Sequence, residues 1–424
     1  MSDTGPVPDG LTVLAVADSD SYVKLSAAMI DALPGERHSA DLVVCRSPIA
    51  PSPAQVRDAV KGTGQEGCPV PFLSVPRLRG LVRQRRPDVL VLNCTGPVAD
   101  ALLPALLDGR RYRNGARPVV VSALPGVSVP ATEKAWLYRS RVDLFVLHSH
   151  REVAEFTALG DRLGATGEVG LATLPFLPER DHGPWGARRN RIVFAAQAKV
   201  PERAQDREAV LIALADLAQS RPDLEVVVKL RAWEGEAQTH REKHPYEVLW
   251  RGLVADGRVR DRTVVFRTGS MAGQLARARG FVTVSSTAAL EAIALGVRVT
   301  VLTDFGVGKD QINLVFEGSG LFGSLADVRT ARFRTPRPEW VGDNYFHRPE
   351  ENDWGKRLGE LVRQARRGDL PHRTGLLVGR GHRRSRRRAL LRLCVPSVML
   401  RGMGRLRRSL RALRRRARGS GGAG

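Results

Sequence analysis

Short apolar stretches alternate with amphipathic ones along most of the chain. Five stretches in the first part are short and rich in β-branched residues, which is typical of buried strands, and they cover residues 11–17, 40–45, 88–93, 118–123 and 144–148. Between them, apolar residues recur at helical spacing over residues 21–33, 53–61, 98–107 and 151–159. This alternation predicts a parallel sheet with helices on both of its faces.

The alternation is interrupted by a segment rich in Pro, Gly and Arg at residues 173–190, and then it begins again. The second set of predicted strands covers residues 191–196, 225–230, 263–266, 281–284 and 298–303. The second set of predicted helices covers residues 203–219, 245–254, 272–279, 287–295 and 309–317. The pattern predicts an α/β protein with two successive Rossmann-like domains, each a doubly wound parallel sheet.

The same pattern predicts the division of the chain. We expect a disordered N-terminus before residue 11, a first domain at 11–172, a hinge-like linker at 173–190 and a second domain at 191–345. A further helix within 346–370 is expected to cross back to the first domain, and an arginine-rich tail follows at 371–424.

Composition supports two folded domains and places the excess charge in the tail. Of the 424 residues, 42% are apolar, which is enough for two cores of ordinary size. The net charge is +23, but 17 of the basic residues are arginines in the tail, which has no acidic residue. The rest of the chain carries 50 basic against 44 acidic residues. The high net charge is therefore a property of the tail and not of the two predicted domains.

Within the tail, apolar side chains fall at helical spacing among arginines. Met399, Met403, Leu406, Leu410 and Leu413 recur every three or four residues. The spacing predicts a basic amphipathic helix that lies on an anionic membrane surface. Two alternatives are a disordered arginine-rich tail and an arm that binds nucleic acid. Binding to nucleic acid is disfavoured, because the tail has no aromatic residue to stack on bases.

The cysteine spacing and the search for targeting segments indicate the cellular compartment of the protein. The four cysteines have no C-x-x-C spacing, so neither a zinc site nor a disulfide framework is predicted. The sequence has neither a secretory signal nor an apolar run long enough to cross a bilayer. We therefore expect a cytoplasmic protein.

One segment, residues 284–296, has the features of a phosphate-binding device. A predicted strand leads into the hydroxyl residues Ser285, Ser286 and Thr287, and a helix that ends in glycine follows. Free N–H groups at a helix start stabilise an anion, and hydroxyls beside them add donors. Glu291, one turn into the helix, could reach the hydroxyls of a ribose or glycerol. The alternative is a helix capped by Ser286 or Thr287 with no ligand.

Other predicted strands also end in polar residues. The first strand is followed by Asp18 and Asp20, and strands of the second domain are followed by Gln197 or end at Lys229 and Arg231. Ligands of doubly wound sheets bind at the carboxyl ends of the strands, so we expect these residues to face one cleft. Asp20 could instead cap the next helix, but two carboxylates exceed what a cap requires.

Together these segments resemble a known enzyme class. The strand that ends in Ser-Ser-Thr, the helix Ala-Leu-Glu-Ala-Ile-Ala-Leu-Gly, the strand after it and the upstream Lys243-His244-Pro245 resemble the C-terminal half of GT-B glycosyltransferases. The nearest likeness is to the capsule-polysaccharide, polysialyl- and Kdo-transferase branch and its CDP-glycerol-dependent relatives. Residues 11–369 also resemble a family of bacterial proteins assigned as glycosyltransferases, which have Asp-Ser-Asp-Ser-Tyr after the first strand.

The resemblance implies site residues. It assigns the donor's phosphates to His244 and to the three hydroxyl residues Ser285, Ser286 and Thr287. The relatives often have Lys-x-His-Pro directly at the end of the second strand, whereas His244 follows that strand by about a dozen residues here. Either Lys229 and Arg231 have taken over the phosphate contact, or an insertion displaces His244. Alternatively, His244 caps the helix that begins at the proline after it.

The catalytic acid of the sialyltransferase-like relatives is not matched, and Asp18 or Asp20 is the best substitute. The resemblance therefore implies a glycosyltransferase, which we expect to use neither a cofactor nor a metal. It would move a sugar or polyol phosphate from a nucleotide donor, CMP or CDP rather than UDP, to a polysaccharide or lipid-linked acceptor at the inner membrane face. The Asp-x-Asp pair could also indicate a metal-dependent GT-A enzyme, but that fold has one domain. A sugar-nucleotide epimerase and a non-catalytic envelope scaffold are the alternatives.

Overall fold

The computed structural model describes residues 8–35, 38–47, 49–107, 117–175, 177, 189–231, 233 and 242–394. Residues 1–7 of the predicted N-terminal extension and the apolar positions between Met399 and Leu413 lie outside the described residues. By its contacts the chain divides into two compact units. The first unit comprises residues 1–147, 152–175 and 349–424, and the second comprises residues 148–151 and 176–348.

The first unit is built on a parallel sheet of seven described strands with the order β3-β2-β1-β4-β5-β6-β7. Every pairing between neighbours is parallel, so each connection must cross back over a face of the sheet. The strands are β1 (Thr12–Ala17), β2 (Ser39–Cys45), β3 (Phe72–Leu73), β4 (Val89–Asn93), β5 (Val119–Ala123), β6 (Leu144–Leu147) and β7 (Glu168–Leu171). The connecting helices are α1 (Asp20–Asp31), α2 (Pro53–Val60), α3 (Val75–Arg85), α4 (Gly96–Leu106), α5 (Glu133–Arg139) and α6 (His150–Leu163).

The second unit repeats this plan with six described strands in the order β10-β9-β8-β11-β12-β13. Its strands are β8 (Arg191–Ala195), β9 (Glu225–Lys229), β10 (Val265–Arg267), β11 (Ala278–Thr283), β12 (Arg298–Leu302) and β13 (Phe322–Gly323). Its helices are α7 (Ala204–Ser220), α8 (Tyr246–Ala255), α9 (Met271–Leu275), α10 (Ala288–Ala294), α11 (Leu325–Arg329) and α12 (Pro338–Asp343). The prediction of two Rossmann-like parallel-sheet domains is confirmed.

The central strands are apolar on both faces because helices cover both sides. All five residues of β4 and of β5 are buried, and the two faces of the first sheet contribute to two separate apolar clusters. Helix α13 (Trp354–Arg367) follows the second unit in sequence but belongs to the core of the first. Its apolar face lies in the cluster on one side of the first sheet, through Trp354, Leu358, Leu361, Val362 and Ala365.

The tail does not begin as a free segment at residue 371. Helix α14 (Arg380–Cys394) packs against α4 and α3, and its Leu393 is buried there. Two arginines of this segment pair with buried carboxylates. Arg386 Nη2 lies 2.8 Å from Asp100 Oδ1, and Arg373 Nε lies 3.0 Å from Asp143 Oδ1. The part of the tail that the structure describes is therefore folded onto the first unit. Among the described residues, no helix is both long enough and apolar enough to cross a bilayer.

One of the predicted helices is wrong and another is shorter than predicted. Residues 309–317 form turns and one short 3-10 segment, since the buried Asn313 side chain bonds to Gly306 O and Gly308 N and the Ile312 backbone is left-handed, with φ of +58°. The helix predicted at 272–279 ends at Leu275, and β11 begins at Ala278. Pairing with β8 overrides the local helical pattern there.

Candidate functional site

The order of the second sheet marks where a ligand is expected. Strands β8 and β11 are neighbours, while the chain leaves β8 toward β9 on one side and β11 toward β12 on the other. In doubly wound sheets, ligands bind outside the carboxyl ends of the strands at this switch point. Gln197 follows β8 and Ser285 follows β11, so two predicted site residues meet there.

The side chain of Gln197 ties the two strand ends together. Its Nε2 donates a hydrogen bond to Ser285 Oγ at 2.8 Å, and its Oε1 accepts one from the Ser285 N–H at 2.8 Å. The same Oε1 accepts a hydrogen bond from Thr283 Oγ1 at 3.3 Å, and the Ser286 N–H donates to Thr283 Oγ1 at 3.0 Å. The loop from Thr283 to Ser286 is therefore held by side-chain hydrogen bonds rather than by packing alone.

Helix α10 follows this loop with one unused hydroxyl. Ser286 Oγ accepts the Ala288 N–H at 3.2 Å. Thr287 is the N-cap residue, yet its side chain makes no capping hydrogen bond and is exposed to solvent. After α10, Gly296 adopts the left-handed conformation, with φ of +63°, and the hydrogen bond from Val297 N–H to Ala292 O closes a Schellman motif. The prediction that Gly296 terminates the helix is confirmed.

Lys229 brings a buried cation to the same strand ends. It is the last residue of β9 and is in register with Ala195 of β8. Among the described residues its ammonium donates one hydrogen bond, to Leu230 O at 2.6 Å, so two of its three N–H groups have no partner there. Burial lowers the pKa of Lys229 and the charge of Arg231 adds to this, while the carboxylate of Glu291 opposes it. The charges of Arg231 and Glu291 thus both act on Lys229.

The segment around His244 is anchored by an arginine that the sequence analysis missed. Arg207 of α7 is buried, and its guanidinium donates to the carbonyls of Gln197, Ala198, Pro201 and His244 at 2.8–3.0 Å. It also pairs with Glu242 and lies 4.8 Å from the ring centre of Tyr246. Arg207 therefore joins the loop after β8 to the segment before α8.

His244 itself does not cap a helix. The N-cap residue of α8 is Pro245, and the helix begins at Tyr246. The alternative role for His244 is thus corrected, since His244 lies one residue before the cap and Arg207 holds its carbonyl. A signal for Arg207 was present in the sequence, because it falls on the same helical face as the buried Val210 and Leu211.

In the first unit, Asp18 is a buried carboxylate between two neighbouring strand ends. It follows β1, and both of its oxygens accept hydrogen bonds from Thr95, whose N–H lies 3.0 Å and whose Oγ1 lies 2.5 Å from Oδ2. Burial raises the pKa of Asp18, while the hydrogen bonds from Thr95 and the charge of Arg139 oppose that rise. Arg139 is hydrogen-bonded to Ser122, Tyr22 and Cys94 rather than to Asp18.

Asp20 has a different environment from Asp18. It is the first residue of α1 and is half-buried, and the N-cap residue of that helix is Ser19, which makes no side-chain capping bond. The alternative in which Asp20 caps the helix is therefore wrong. Within the described part of the chain, the Asp20 carboxylate makes no hydrogen bond or ion pair.

The raised pKa of Asp18 gives an expected pH dependence. A carboxyl whose folded pKa is raised stabilises the fold fully below its unfolded pKa of about 3.9, and that contribution is lost as the pH rises through the folded pKa. Asp18→Asn keeps the shape and the acceptor for Thr95 but cannot ionise. We expect the wild type to lose stability relative to Asp18→Asn as the pH rises above about 4, by about 1.4 kcal/mol for each pH unit that separates the folded pKa from the unfolded one.

Urea unfolding of both proteins across that pH range measures this difference. A gap between wild type and Asp18→Asn that stays constant with pH would contradict a buried, ionisable Asp18.

The structure thus groups the predicted residues. Six lie at the strand ends of the second sheet or on α10, namely Gln197, Lys229, Ser285, Ser286, Thr287 and Glu291. Arg231 is exposed just beyond β9, and His244 lies before α8. Asp18 and Asp20 belong to the first unit. Thr283 and Arg207 are additional residues of the second group.

Solved structures similar to this chain include nucleotide-sugar enzymes. MnaA of S. aureus, solved with UDP, is 12% identical with a TM-score of 0.48, over 86% of this chain and all of that one. UDP-GlcNAc 2-epimerase of Neisseria meningitidis, bound to UDP-GlcNAc, is 11% identical with a TM-score of 0.48, over 90% and 100%. The lipopolysaccharide outer core galactosyltransferase WaaB is 10% identical with a TM-score of 0.45, over 85% and 100%.

At these identities, the ligands and reactions named for those structures are properties of those proteins alone. No curated protein matches the chain. The sequence model of one protein family matches residues 13–361, which covers both sheets and most of α13. The chain therefore belongs to the family described as "Putative glycosyltransferase (DUF6716)".

Proposed function

We propose that the chain is a glycosyltransferase whose second unit holds a nucleotide-activated donor at the ends of β8, β9 and β11. The observation that carries this proposal is the network in which Gln197 fixes the loop of Ser285, while Lys229 places a buried cation at the end of β9 in the same sheet. A fixed set of donors next to a cation suits the phosphates of a leaving nucleotide. Family membership supports the reaction class.

Each residue has a proposed role in holding the donor. Lys229 and the exposed Arg231 neutralise the charge that develops on the departing phosphate. Thr287 donates its unused hydroxyl, and Glu291 accepts hydrogen bonds from sugar or ribose hydroxyls. His244 is proposed as a further phosphate ligand. Because these cations supply the positive charge, the proposed transfer needs no metal.

An aspartate of the first unit is the proposed general base. It takes the proton of the acceptor hydroxyl as that oxygen attacks the activated carbon, and the nucleotide leaves with its phosphate. Asp20 fits this role better than Asp18, because Thr95 occupies both oxygens of Asp18. Asp18 then positions the loop that follows β4.

The proposal extends to the nucleotide, the acceptor and the role of the tail. CMP or CDP is favoured over UDP by the family likeness, with a polysaccharide or lipid-linked acceptor at the inner face of the cell membrane. Residues 371–424 would hold the protein on that anionic surface. The described part of α14 supports this, because Arg383, Arg384, Arg387 and Arg388 are exposed while Arg386 is paired with Asp100.

A nucleotide-binding experiment on the full chain tests the donor site. At about 100 times its Kd, the matching nucleotide among CMP, CDP, UDP and GDP is expected to stabilise the protein by about 2.7 kcal/mol, or about 5 °C in Tm. Lys229→Met is expected to weaken that nucleotide at least about 10-fold, the loss of one charge-assisted hydrogen bond.

Arg260→Met is the matched control, since it removes one exposed charge from the loop before β10, at the amino ends of the same sheet. It is expected to leave binding unchanged. If no nucleotide stabilises the chain, or if both variants bind equally well, the proposed donor site is wrong. Sugar conversion without an acceptor would indicate an epimerase instead.

A further inference from the structure

The first unit has a pocket at the amino ends of its strands, opposite the end where Asp18 lies. The pocket has a volume of about 570 Å³ and is formed by the end of α3, the residues before β4 and β5, and one face of α13. Four arginines and one carboxylate line it, together with two prolines and three small apolar side chains. The charged residues are Arg83, Arg86, Asp88, Arg117 and Arg366.

The carboxylates near the pocket are already used by the protein. Asp88 accepts the Thr12 N–H through Oδ2 at 2.9 Å and pairs with Arg366 through Oδ1 at 3.2 Å. Asp143 receives two hydrogen bonds from Arg117, at 2.6 and 2.7 Å, and is shared with Arg373 of the tail segment at 3.0 Å. No acidic side chain among the lining residues is left to neutralise a further cation.

Arg83 and Arg86 are the cations that remain. Both are exposed, and in the part of the chain that the structure describes neither guanidinium group makes a hydrogen bond or an ion pair. Cations in the last turn of a helix are favourable by about 0.3–1 kcal/mol, which could account for arginines near the end of α3. That effect does not explain why the two guanidinium groups line a cavity together with Arg117 and Arg366.

The backbone at Arg86 is a second reason to look for a ligand. Arg86 is the C-cap residue of α3, with φ of 45° and ψ of 57°, and Pro87 follows it. Glycine or asparagine is the usual residue in this left-handed conformation, and another side chain there costs about 1 kcal/mol. The helix end would therefore be more stable with glycine, so the arginine side chain is not explained by the turn itself.

We propose that this pocket binds a phosphate-bearing ligand, either a phosphate ester or a diphosphate. Guanidinium groups match phosphate oxygens with paired N–H donors, and two of them that have no acceptor among the described residues suit a dianion. The volume lies within the range of small-molecule sites. Val82, Val362 and the two prolines offer apolar surface for the carbon framework of the ligand. This site is separate from the proposed donor site, which belongs to the second unit.

Calorimetric titration of the full chain with inorganic pyrophosphate tests the site. The pocket variant is Arg83→Gln with Arg86→Gly, in which the glycine also relieves the left-handed backbone, so its Tm without ligand should not fall. The control variant is Arg57→Gln with Arg77→Gln, which removes two exposed arginines of α2 and α3 that do not line the pocket. Both lose the same charge, so binding to the basic tail is weakened equally.

We expect the pocket variant to bind pyrophosphate at least about 10-fold more weakly than the wild type, and the control variant to change by less than about 2-fold. Equal affinities of the two variants, or no binding by the wild type, would overturn the proposal. The Tm rise with the matching nucleotide should be the same in both variants, which separates this site from the donor site.

Two further titrations identify the source of the phosphate. Glycerol 3-phosphate represents a soluble ester, and phosphatidylcholine vesicles with and without phosphatidic acid represent a lipid headgroup. If the pocket variant loses only glycerol 3-phosphate relative to the control variant, the ligand is soluble. If it also loses binding to the phosphatidic acid vesicles, the pocket takes a headgroup. If it loses neither but binds pyrophosphate more weakly, the ligand is a diphosphate, and if it loses none of the three the proposal is overturned.

Discussion

Replacing Asp20 with asparagine is expected to lower kcat for glycosyl transfer by about 10²–10⁴, with little change in the KM for the donor. The Asp20 carboxylate lies just beyond β1, is half-buried and has no partner within the described chain, so it is free to accept a proton. Asparagine keeps the size of the side chain but cannot act as a base. Steady-state kinetics with the donor and acceptor that support turnover provide the measurement.

Two further substitutions test whether the loss of kcat is specific to Asp20. Asp58→Asn changes an exposed carboxylate of α2 and should leave the rate unaltered. Asp18→Asn keeps an acceptor for Thr95 and should lower kcat much less than Asp20→Asn. A large loss at position 18 with none at position 20 would exchange their roles, and no loss at either position would remove the aspartates from the reaction.

Replacing Arg207 with alanine is expected to destabilise the second unit by about 3–5 kcal/mol. The change leaves the Glu242 carboxylate without its cation and four carbonyls without their donor. It also frees the loop that carries Gln197, so affinity for the nucleotide should fall together with stability. Hydrogen exchange of the β8 and β9 amides measures the opening of the second unit separately from the opening of the first unit.

Arg203→Ala is the matched control, because Arg203 is an exposed neighbour whose side chain pairs, among the described residues, with Asp206. Such an exposed pair contributes little to stability, since solvent screens its charges. Arg207→Lys should fall between the two, since an ammonium keeps the charge but cannot donate to all five acceptors. Similar exchange rates in the alanine variants at 203 and 207 would show that the buried arginine does not hold the loops.

The fold was largely predictable because its central strands are buried on both faces. The run at residues 89–92 is apolar throughout, and such runs alternated with helical periodicity in both units. The predictions failed where a strand is too short to show a pattern. Both β3 and β13 contain two residues, and β7 contains a glycine among its four. Their positions depend on pairing with strands that are distant in sequence.

The residues of the candidate site could be predicted where they stand at the ends of strands, but the hydrogen bonds between them could not. Ser285, Ser286 and Thr287 stand next to one another at a strand end, so the sequence alone singles them out. The bonds that organise the site join distant positions, as between Gln197 and Ser285, which are 88 residues apart, or Asp18 and Thr95, which are 77 apart. The spacing of apolar residues along the sequence does not indicate which distant residues will be bonded to each other.

The docking of the tail segment determines where this protein can be shortened. A cut at residue 371 would leave Asp100 and Asp143 with one arginine each instead of two, and it would uncover the apolar surface of α3 and α4 on which α14 lies. A cut after Cys394 keeps both pairs and removes only the last thirty or so residues. Effects on membrane attachment are then not confounded by damage to the first unit.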